Sequence, residues 1–448
     1  MKSIYQKLPV FIQDCILTFV NNYKYYQKYG AVPVLRPLSK VVKQLKVENF
    51  NDKNTLSRIN LLIKYATENI PYYQKNKNEY ITIKSISDLK VLPVLKKTTL
   101  KEHNADFISK ESNRFNSYKF RTSGSTGTPI VGAMKNSELK MRLTMFLTSL
   151  KMEGIDYSKP LARFPGADIA RKDKVYRRDF INKHLLFSIY HLSKDRVAEY
   201  HQALNHFKIE ILEGYPSTIF SLVRLLKTHN LKLPFVKHVL TTAEKLLDYQ
   251  KEEIEGFFNC KIFDFYGSSE GSVYMFLTKE GYYLNCNQIG YFECVDENYN
   301  PVKINETGRI LVTSFSSSFT PLIRYDIGDY ATIISEKEGI IKVKEIQGRQ
   351  EEIFIAPNGK SFGRFSLILK YLPPQILESQ LVLTQGKNKA NVIYVSKTEL
   401  NKDDFKDFED KMNSLLEMNF IFEYEKVSKF DKSKRGKLSA VKIKNNPD

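Results

Sequence analysis

The chain has 448 residues, 42% of them hydrophobic and 12% aromatic, and a net charge of +19. That length supports two or three domains with a substantial core, and the composition excludes a disordered chain. The charge invites a nucleic-acid or membrane-surface partner. However, the lysines are spread throughout and no nucleic-acid motif accompanies them, so no nucleic acid is expected. The charge then reads as background, with attraction to an anionic ligand or membrane surface as the lesser alternative.

Residues 1–30 read as a helix, and Tyr23, Tyr25 and Tyr26 suggest that it packs against something apolar. Gln13 and Asp14 interrupt the apolar run, so no signal peptide or transmembrane segment is expected, and a cytoplasmic setting is the default. Leu56, Ile59, Leu62, Ile63 and Ala66 recur at helical spacing, predicting a helix over 55–69 that Pro71 stops. The stretch 121–129 reads Arg-Thr-Ser-Gly-Ser-Thr-Gly-Thr-Pro, with two glycines among five hydroxyl residues. Closely spaced backbone N–H groups and hydroxyls can wrap a polyphosphate, although a plain Ser/Thr surface turn has the same composition. It is not a Walker A loop, because no Lys-Ser/Thr pair closes the required spacing. A helix is predicted from Asn136 or Ser137, with Met141, Met145 and Leu147 on its apolar side.

From 209 the pattern turns rhythmic. Strands at 209–212, 236–240 and 261–265 each run into a polar loop, and helices follow the first two, predicting parallel βαβ units. Ligands of such sheets bind beyond the carboxyl ends of the strands, where these loops lie. After Gly290 short strands at 291–295, 309–314, 330–334 and 340–346 suggest a β subdomain. A last unit has strands near 380–384 and 391–395. Its helix carries Phe405, Phe408, Met412, Leu415 and Leu416, and a basic tail follows. The four cysteines, Cys15, Cys260, Cys286 and Cys294, form no C-x-x-C pair and read as buried thiols.

Four elements join the opening loop. Tyr266-Gly267-Ser268-Ser269-Glu270 offers an aromatic face for a base and a carboxylate for a metal-bound phosphate. Arg324-Tyr325-Asp326-Ile327-Gly328-Asp329 sets an acid after a glycine turn, suited to ribose hydroxyls. Gly348-Arg349-Gln350-Glu351-Glu352 gives a cation and then two acids, and Arg435-Gly436-Lys437 is a basic turn. Each alone has an ordinary reading: a packed tyrosine, a turn aspartate, a solvated lysine.

In this order the elements resemble the adenylate-forming superfamily of acyl-CoA synthetases, luciferase and peptide-synthetase adenylation domains. More narrowly, the chain is similar to the phenylacetate-CoA ligase-like branch that includes the CapK proteins of capsular polysaccharide biosynthesis. Asn69-Ile70-Pro71-Tyr72-Tyr73, Glu213-Gly214-Tyr215-Pro216-Ser217 and Phe263-Asp264-Phe265-Tyr266-Gly267 carry that narrower likeness. The resemblance implies an α/β, multi-domain fold. An N-terminal domain (1–346) would bind ATP and acid, a small mobile α+β domain (350–448) would carry the catalytic lysine, and a hinge would lie near 348–351.

The implied activity is attack of a carboxylate on Mg-ATP to give acyl-adenylate and pyrophosphate. Transfer would follow to a thiol such as coenzyme A or to an amine of amino-sugar type, in association with glycan-synthesis machinery. The implied nucleotide site is Thr122, Ser123, Gly124, Ser125, Thr126 and Gly127 on the phosphates, and Tyr266 with Gly267 and Ser268 on adenine. The Ala243-Glu244 loop would lie alongside, Asp329 and Arg349 would take the ribose, and Glu270 would hold Mg²⁺. Lys437 would be the catalytic lysine and Glu351 the hinge residue, with Arg163 and Phe164 shaping the acid pocket. The chain departs from the family pattern in having Glu351 for Asp, Ile130 for Lys, and Lys434-Arg435-Gly436 for Thr-x-Ser-Gly. It also lacks the Cys/His cluster of some relatives, so no structural zinc is expected. The alternative from another class is a non-catalytic nucleotide-binding scaffold of the same fold.

Overall fold

The computed structural model describes residues 5, 8–29, 54–121, 130–165, 174–189, 191–337, 340–349, 354–358, 361–362, 366–369, 371–373, 375–396, 398–416, 418–430 and 440–444. Two compact units emerge. The first comprises Met1–Leu17, Lys159–Asp264 and Gln347–Asp448, and the second Thr18–Ser158 and Phe265–Ile346.

In the first unit the predicted βαβ rhythm is present. His238–Thr242, Ile211–Gly214, Leu161–Arg163 and His184–Phe187 lie side by side in parallel, and Tyr176–Asp179 closes the edge antiparallel. These strands are short apolar runs buried on both faces, as a parallel sheet requires. The helix Pro216–Thr228 begins with proline at its first turn, where the missing N–H costs nothing. It buries Ile219, Leu222, Val223 and Leu226 at three- and four-residue steps. The helix Asp248–Phe258 ends at Asn259, which adopts the left-handed conformation that stops a helix.

The C-terminal part of this unit has its own four-stranded sheet, ordered Ile421–Lys426, Lys389–Ser396, Ile376–Thr384 and Val441–Lys444. Phe405, Phe408, Met412 and Leu416, the helical pattern read from sequence, are all buried in its core, and Leu247 joins them. Each such side chain contributes about 1.5–3 kcal/mol when fully buried.

The second unit holds the helices Thr55–Asn69 and Asn136–Met152. The first spans the residues expected and buries Ile59, Leu62, Ile63 and Ala66. Ile70 turns extended ahead of Pro71, as the residue before proline must. The antiparallel strands run in the order Gly290–Val295, Thr307–Ser314, Tyr325–Lys337, Ile340–Arg349, Tyr283–Asn285 and Tyr274–Leu277. A separate hairpin pairs Ser117–Arg121 with Val131–Lys135, placing Arg121 opposite Val131. The strand Ile262–Gly267 spans the division between the units.

None of the four cysteines forms a disulfide. Burial pushes the Cys286 thiol up to about 12 and those of Cys260 and Cys294 up to about 11, with nearby Glu255 adding to the shift at Cys260. Cys15 is exposed. Because the thiolate is the reactive form, Ellman's reagent at neutral pH should titrate one thiol rapidly in the folded protein and four in denaturant. Rapid reaction of Cys286 in the native state would contradict this packing.

Candidate active site

The motif residues of the second unit converge at the end of one strand. Tyr266 lies near the end of Ile262–Gly267, its ring packed against the main core of the unit. Its hydroxyl donates to Asp329 Oδ2 at 2.5 Å, joining two motifs 63 residues apart. Asp329 sits in Tyr325–Lys337 directly after Gly328, whose φ of +83° favours glycine. The Gly328 N–H donates to Asp326 Oδ1 at 2.9 Å, and Arg309 holds the other oxygen of Asp326 at 3.1 Å.

Arg324 also has a left-handed backbone and is almost fully buried. It pairs with Glu293 at 2.9 Å and donates to the Leu92 carbonyl at 2.8 Å. Burial raises the Glu293 carboxyl, and the Arg324 guanidinium opposes that shift. Arg324 therefore anchors the turn that presents Asp329.

The Tyr266–Glu270 loop is fastened from within. Ser268 and Ser272 share a hydroxyl contact at 2.9 Å, and the Gly271 N–H donates to the Ser268 carbonyl at 3.1 Å. Gly271 has a φ of +72°, and a Cβ there would lie 2.6 Å from an Arg142 nitrogen. Glu270 is buried beside Arg142, which also donates to the Ser268 carbonyl at 3.4 Å. Burial lowers the Arg142 pKa while the charges of Tyr29, Glu270 and Glu138 oppose that shift. Sequence reasoning missed Arg142, because one arginine in an amphipathic helix carries no motif signal.

A cavity of about 340 Å³ opens next to this loop, within the second unit. Its walls include Phe120, Arg142, Phe146, Phe265, Ser269 and Tyr274, so aromatic rings enclose a space with one guanidinium on its wall. Ser269 belongs to the motif loop and Phe265 directly precedes Tyr266.

The hairpin that brackets the Ser/Thr/Gly loop is tied to the same unit. The Ala133 N–H donates to the Thr320 hydroxyl at 2.9 Å, and Glu138 accepts from the Lys135 and Ser318 N–H groups, each at 2.8 Å. Thr122, Ser123, Gly124, Ser125, Thr126 and Gly127 themselves lie outside the described residues, as do Glu351 and Lys437. Arg349 is described only as the last residue of the strand Ile340–Arg349.

In the first unit the carboxyl ends of three adjacent parallel strands carry the remaining motif residues. Ala243 follows His238–Thr242 with a φ of +70°, and Glu244 accepts from the Ser217 N–H at 3.3 Å. Arg163 donates to Glu213 at 3.0 Å, and Phe164 packs so close to Gly214 that a Cβ there would lie 3.0 Å away. Among the described residues, no three His, Cys, Asp or Glu side chains cluster closely enough to hold a metal ion. A single carboxylate such as Glu270 is a ligand that a hard cation can take while completing its shell with phosphate and water.

The chain also has relatives among known proteins. No protein-family model matches it. It is 25% identical to protein CapK of Staphylococcus aureus over 98% of both chains. The chain resembles the adenylate-forming superfamily and, within it, CapK. It is also 29% identical to an indoleacetate–lysine synthetase of Pseudomonas savastanoi, over 45% of the chain and half the length of that protein. Among solved structures, a 2-hydroxyisobutyryl-CoA ligase in complex with 2-HIB-AMP aligns with a TM-score of 0.69 at 18% identity, covering 88% of the chain and 90% of that structure. An anthranilate CoA ligase in complex with anthranoyl-AMP aligns at 0.51 and 14% identity, covering 74% and 67%. At those identities the likeness establishes the fold.

His184 gives the first unit a pH dependence. It is buried, and burial together with the Arg163 charge pulls its pKa down to about 3. The folded imidazole stays neutral where the unfolded one takes up a proton, so stability falls as pH drops from about 6.5 toward 3. His184→Asn should remove a slope of up to ~1.4 kcal/mol per pH unit. Urea unfolding at pH 7, 6 and 5 tests it, and equal slopes in both proteins would show that His184 is not buried neutral.

Proposed function

We propose that the chain activates a carboxylic acid with ATP, forming an acyl-adenylate, as an adenylate-forming ligase of phenylacetate-CoA ligase-like type. The observation that carries this reading is the Tyr266–Asp329 hydrogen bond beside the Glu270 loop. It unites the base-facing and ribose-facing motifs in one unit of a fold whose solved relatives hold acyl-AMP.

In this reading a carboxylate oxygen attacks the α-phosphorus of ATP, the bond to the β-phosphate oxygen breaks, and pyrophosphate leaves with both electrons of that bond. Thr122–Gly127 would cradle the β- and γ-phosphates through N–H and hydroxyl donors. Tyr266 would stack on adenine with Gly267, Ser268 and the Ala243-Glu244 loop around it. Asp329 would accept from the ribose hydroxyls beside Arg349, its carboxyl already oriented by the Tyr266 hydroxyl. Glu270 would hold Mg²⁺, whose charge offsets that of the phosphates. Arg142, close behind Glu270, would fix the direction of that carboxylate. Lys437 would enter on the 350–448 domain by rotation at Glu351 and stabilise the transferring α-phosphate.

The aromatic cavity beside Ser269 would receive the body of the acid. Transfer then goes to a thiol such as coenzyme A or to an amine. The name of one relative pairs an acid with lysine, and solved relatives hold CoA. The reading extends to a role in capsular polysaccharide biosynthesis, in the cytoplasm and near the glycan-synthesis machinery, as the family resemblance implies.

The test is carboxylate-dependent ATP–pyrophosphate exchange across aryl, fatty, hydroxy and amino acids. One acid class should support exchange, and Lys437→Ala and Glu270→Gln should each lower it by about 10²–10³-fold. Binding of ATP without exchange for any acid would instead favour a nucleotide-binding scaffold.

A further inference from the structure

The helix Val10–Tyr29 is turned inside out. Its polar residues face the protein: Gln13, Asp14, Thr18 and Asn22 are all buried. Gln13 accepts from the fully buried Arg177 at 2.8 Å and donates to the Leu8 carbonyl at 2.8 Å, and Asp14 lies 4.0 Å from the same guanidinium. The apolar side faces out. Ile12, Ile16, Phe19, Tyr23 and Tyr26 follow one another at steps of four and three, so they form one stripe, and all are exposed. Phe11 (69% exposed) and Phe19 (71%) stand furthest into solvent. Phe11 also lies 6.0 Å from the ring of Phe180, itself exposed, which widens the patch. Scattered apolar side chains on a surface need no explanation, whereas a continuous stripe marks a contact surface.

The charges around the stripe identify what it contacts. Asp14 is the only acid in the helix, and it is withdrawn against Arg177. The exposed side keeps Lys24, and the chain as a whole carries a net charge of +19. A self-complementary pairing of two such faces would set lysine against lysine. An anionic lipid surface has the opposite sign and an apolar layer beneath. None of the helices among the described residues is long and apolar enough to cross a membrane. An apolar face with a cationic rim lies instead in the plane of the interface, where tyrosine rings and lysine stems bridge acyl chains and headgroups.

We propose that the helix Val10–Tyr29 docks the protein on an anionic lipid surface, seating Phe11, Ile16 and Phe19 among the acyl chains with Lys24 at the phosphates. This role uses the outward stripe of the helix, whereas its last two residues, Lys28 and Tyr29, line the cavity beside Ser269; it holds whether or not the chain turns over ATP.

The chain contains no tryptophan, so Phe19→Trp creates a single reporter at an exposed position. With vesicles of phosphatidylcholine and phosphatidylglycerol its emission should shift to the blue and be quenched by brominated acyl chains. Vesicles of phosphatidylcholine alone should give a much smaller response. Co-sedimentation of the otherwise native chain should fall at least ~tenfold in Phe11→Ser/Phe19→Ser and weaken in Lys24→Glu, with circular dichroism unchanged. Unshifted emission on anionic vesicles, or undiminished sedimentation of the double variant, overturns the proposal. So does a native dimer that the double variant dissolves without any vesicle binding, which would assign the stripe to a second copy.

Discussion

The hydrogen bond from Tyr266 to Asp329 is the constraint on which the candidate site of the second unit depends. It ties the end of one strand to the turn of another, and neither end is free to adjust. Tyr266 packs its ring into the core, while Asp329 follows a glycine in the left-handed region and an arginine buried against Glu293. A hydrogen bond to a carboxylate contributes about 1.5–3 kcal/mol. Its larger effect is orientational, since it fixes the direction in which the Asp329 carboxyl is held. Arg142 plays the matching part behind Glu270. Its guanidinium also donates to the Ser268 carbonyl of the same loop, so it helps to hold that loop in place.

Much of this architecture could be read from the residues. The helix Thr55–Asn69 announced itself because Leu56, Ile59, Leu62, Ile63 and Ala66 are spaced for one face and Pro71 follows. The parallel strands were readable for the same kind of reason: short apolar runs ended by Gly-bearing loops have few other ways to fold. Strand boundaries were less legible. The reading placed strands at 209–212 and 236–240, while the structure has Ile211–Gly214 and His238–Thr242. An apolar residue ahead of a strand looks the same as one inside it. At the site, local motifs identified Tyr266 and Asp329, but their contact spans 63 residues and no local pattern encodes it. Arg142 and the aromatic cavity were silent for a related reason, since side chains from several separate elements make a cavity that none of them signals alone.

The +19 charge was read as background because the lysines are dispersed in sequence. What distinguishes the first helix is which side of it faces solvent. Gln13 and Asp14 interrupt the apolar run, and they also face Arg177, which donates to Gln13 at 2.8 Å and lies 4.0 Å from Asp14. A buried polar face is stable when its groups find partners, and Arg177, far along the chain, supplies one to Gln13. Periodicity analysis assumes that the apolar side is the inner one, and here that assumption fails.

The three-segment make-up of the first unit bears on how the protein emerges from the ribosome. Its sheet is encoded by 159–264, but its four-stranded C-terminal part arrives only after the whole 265–346 stretch has been made. The second unit, by contrast, has all its residues once synthesis passes Ile346. Domains are generally completed as their chain becomes available, so the second unit can finish first and the first unit must wait for its strand Val441–Lys444. Until then the strand Ile376–Thr384 has Lys389–Ser396 on one side but lacks Val441–Lys444 on the other. A stalled or truncated chain would therefore present one finished unit and one with part of its core missing. Such a product exposes apolar surface and is a natural substrate for chaperones and proteases.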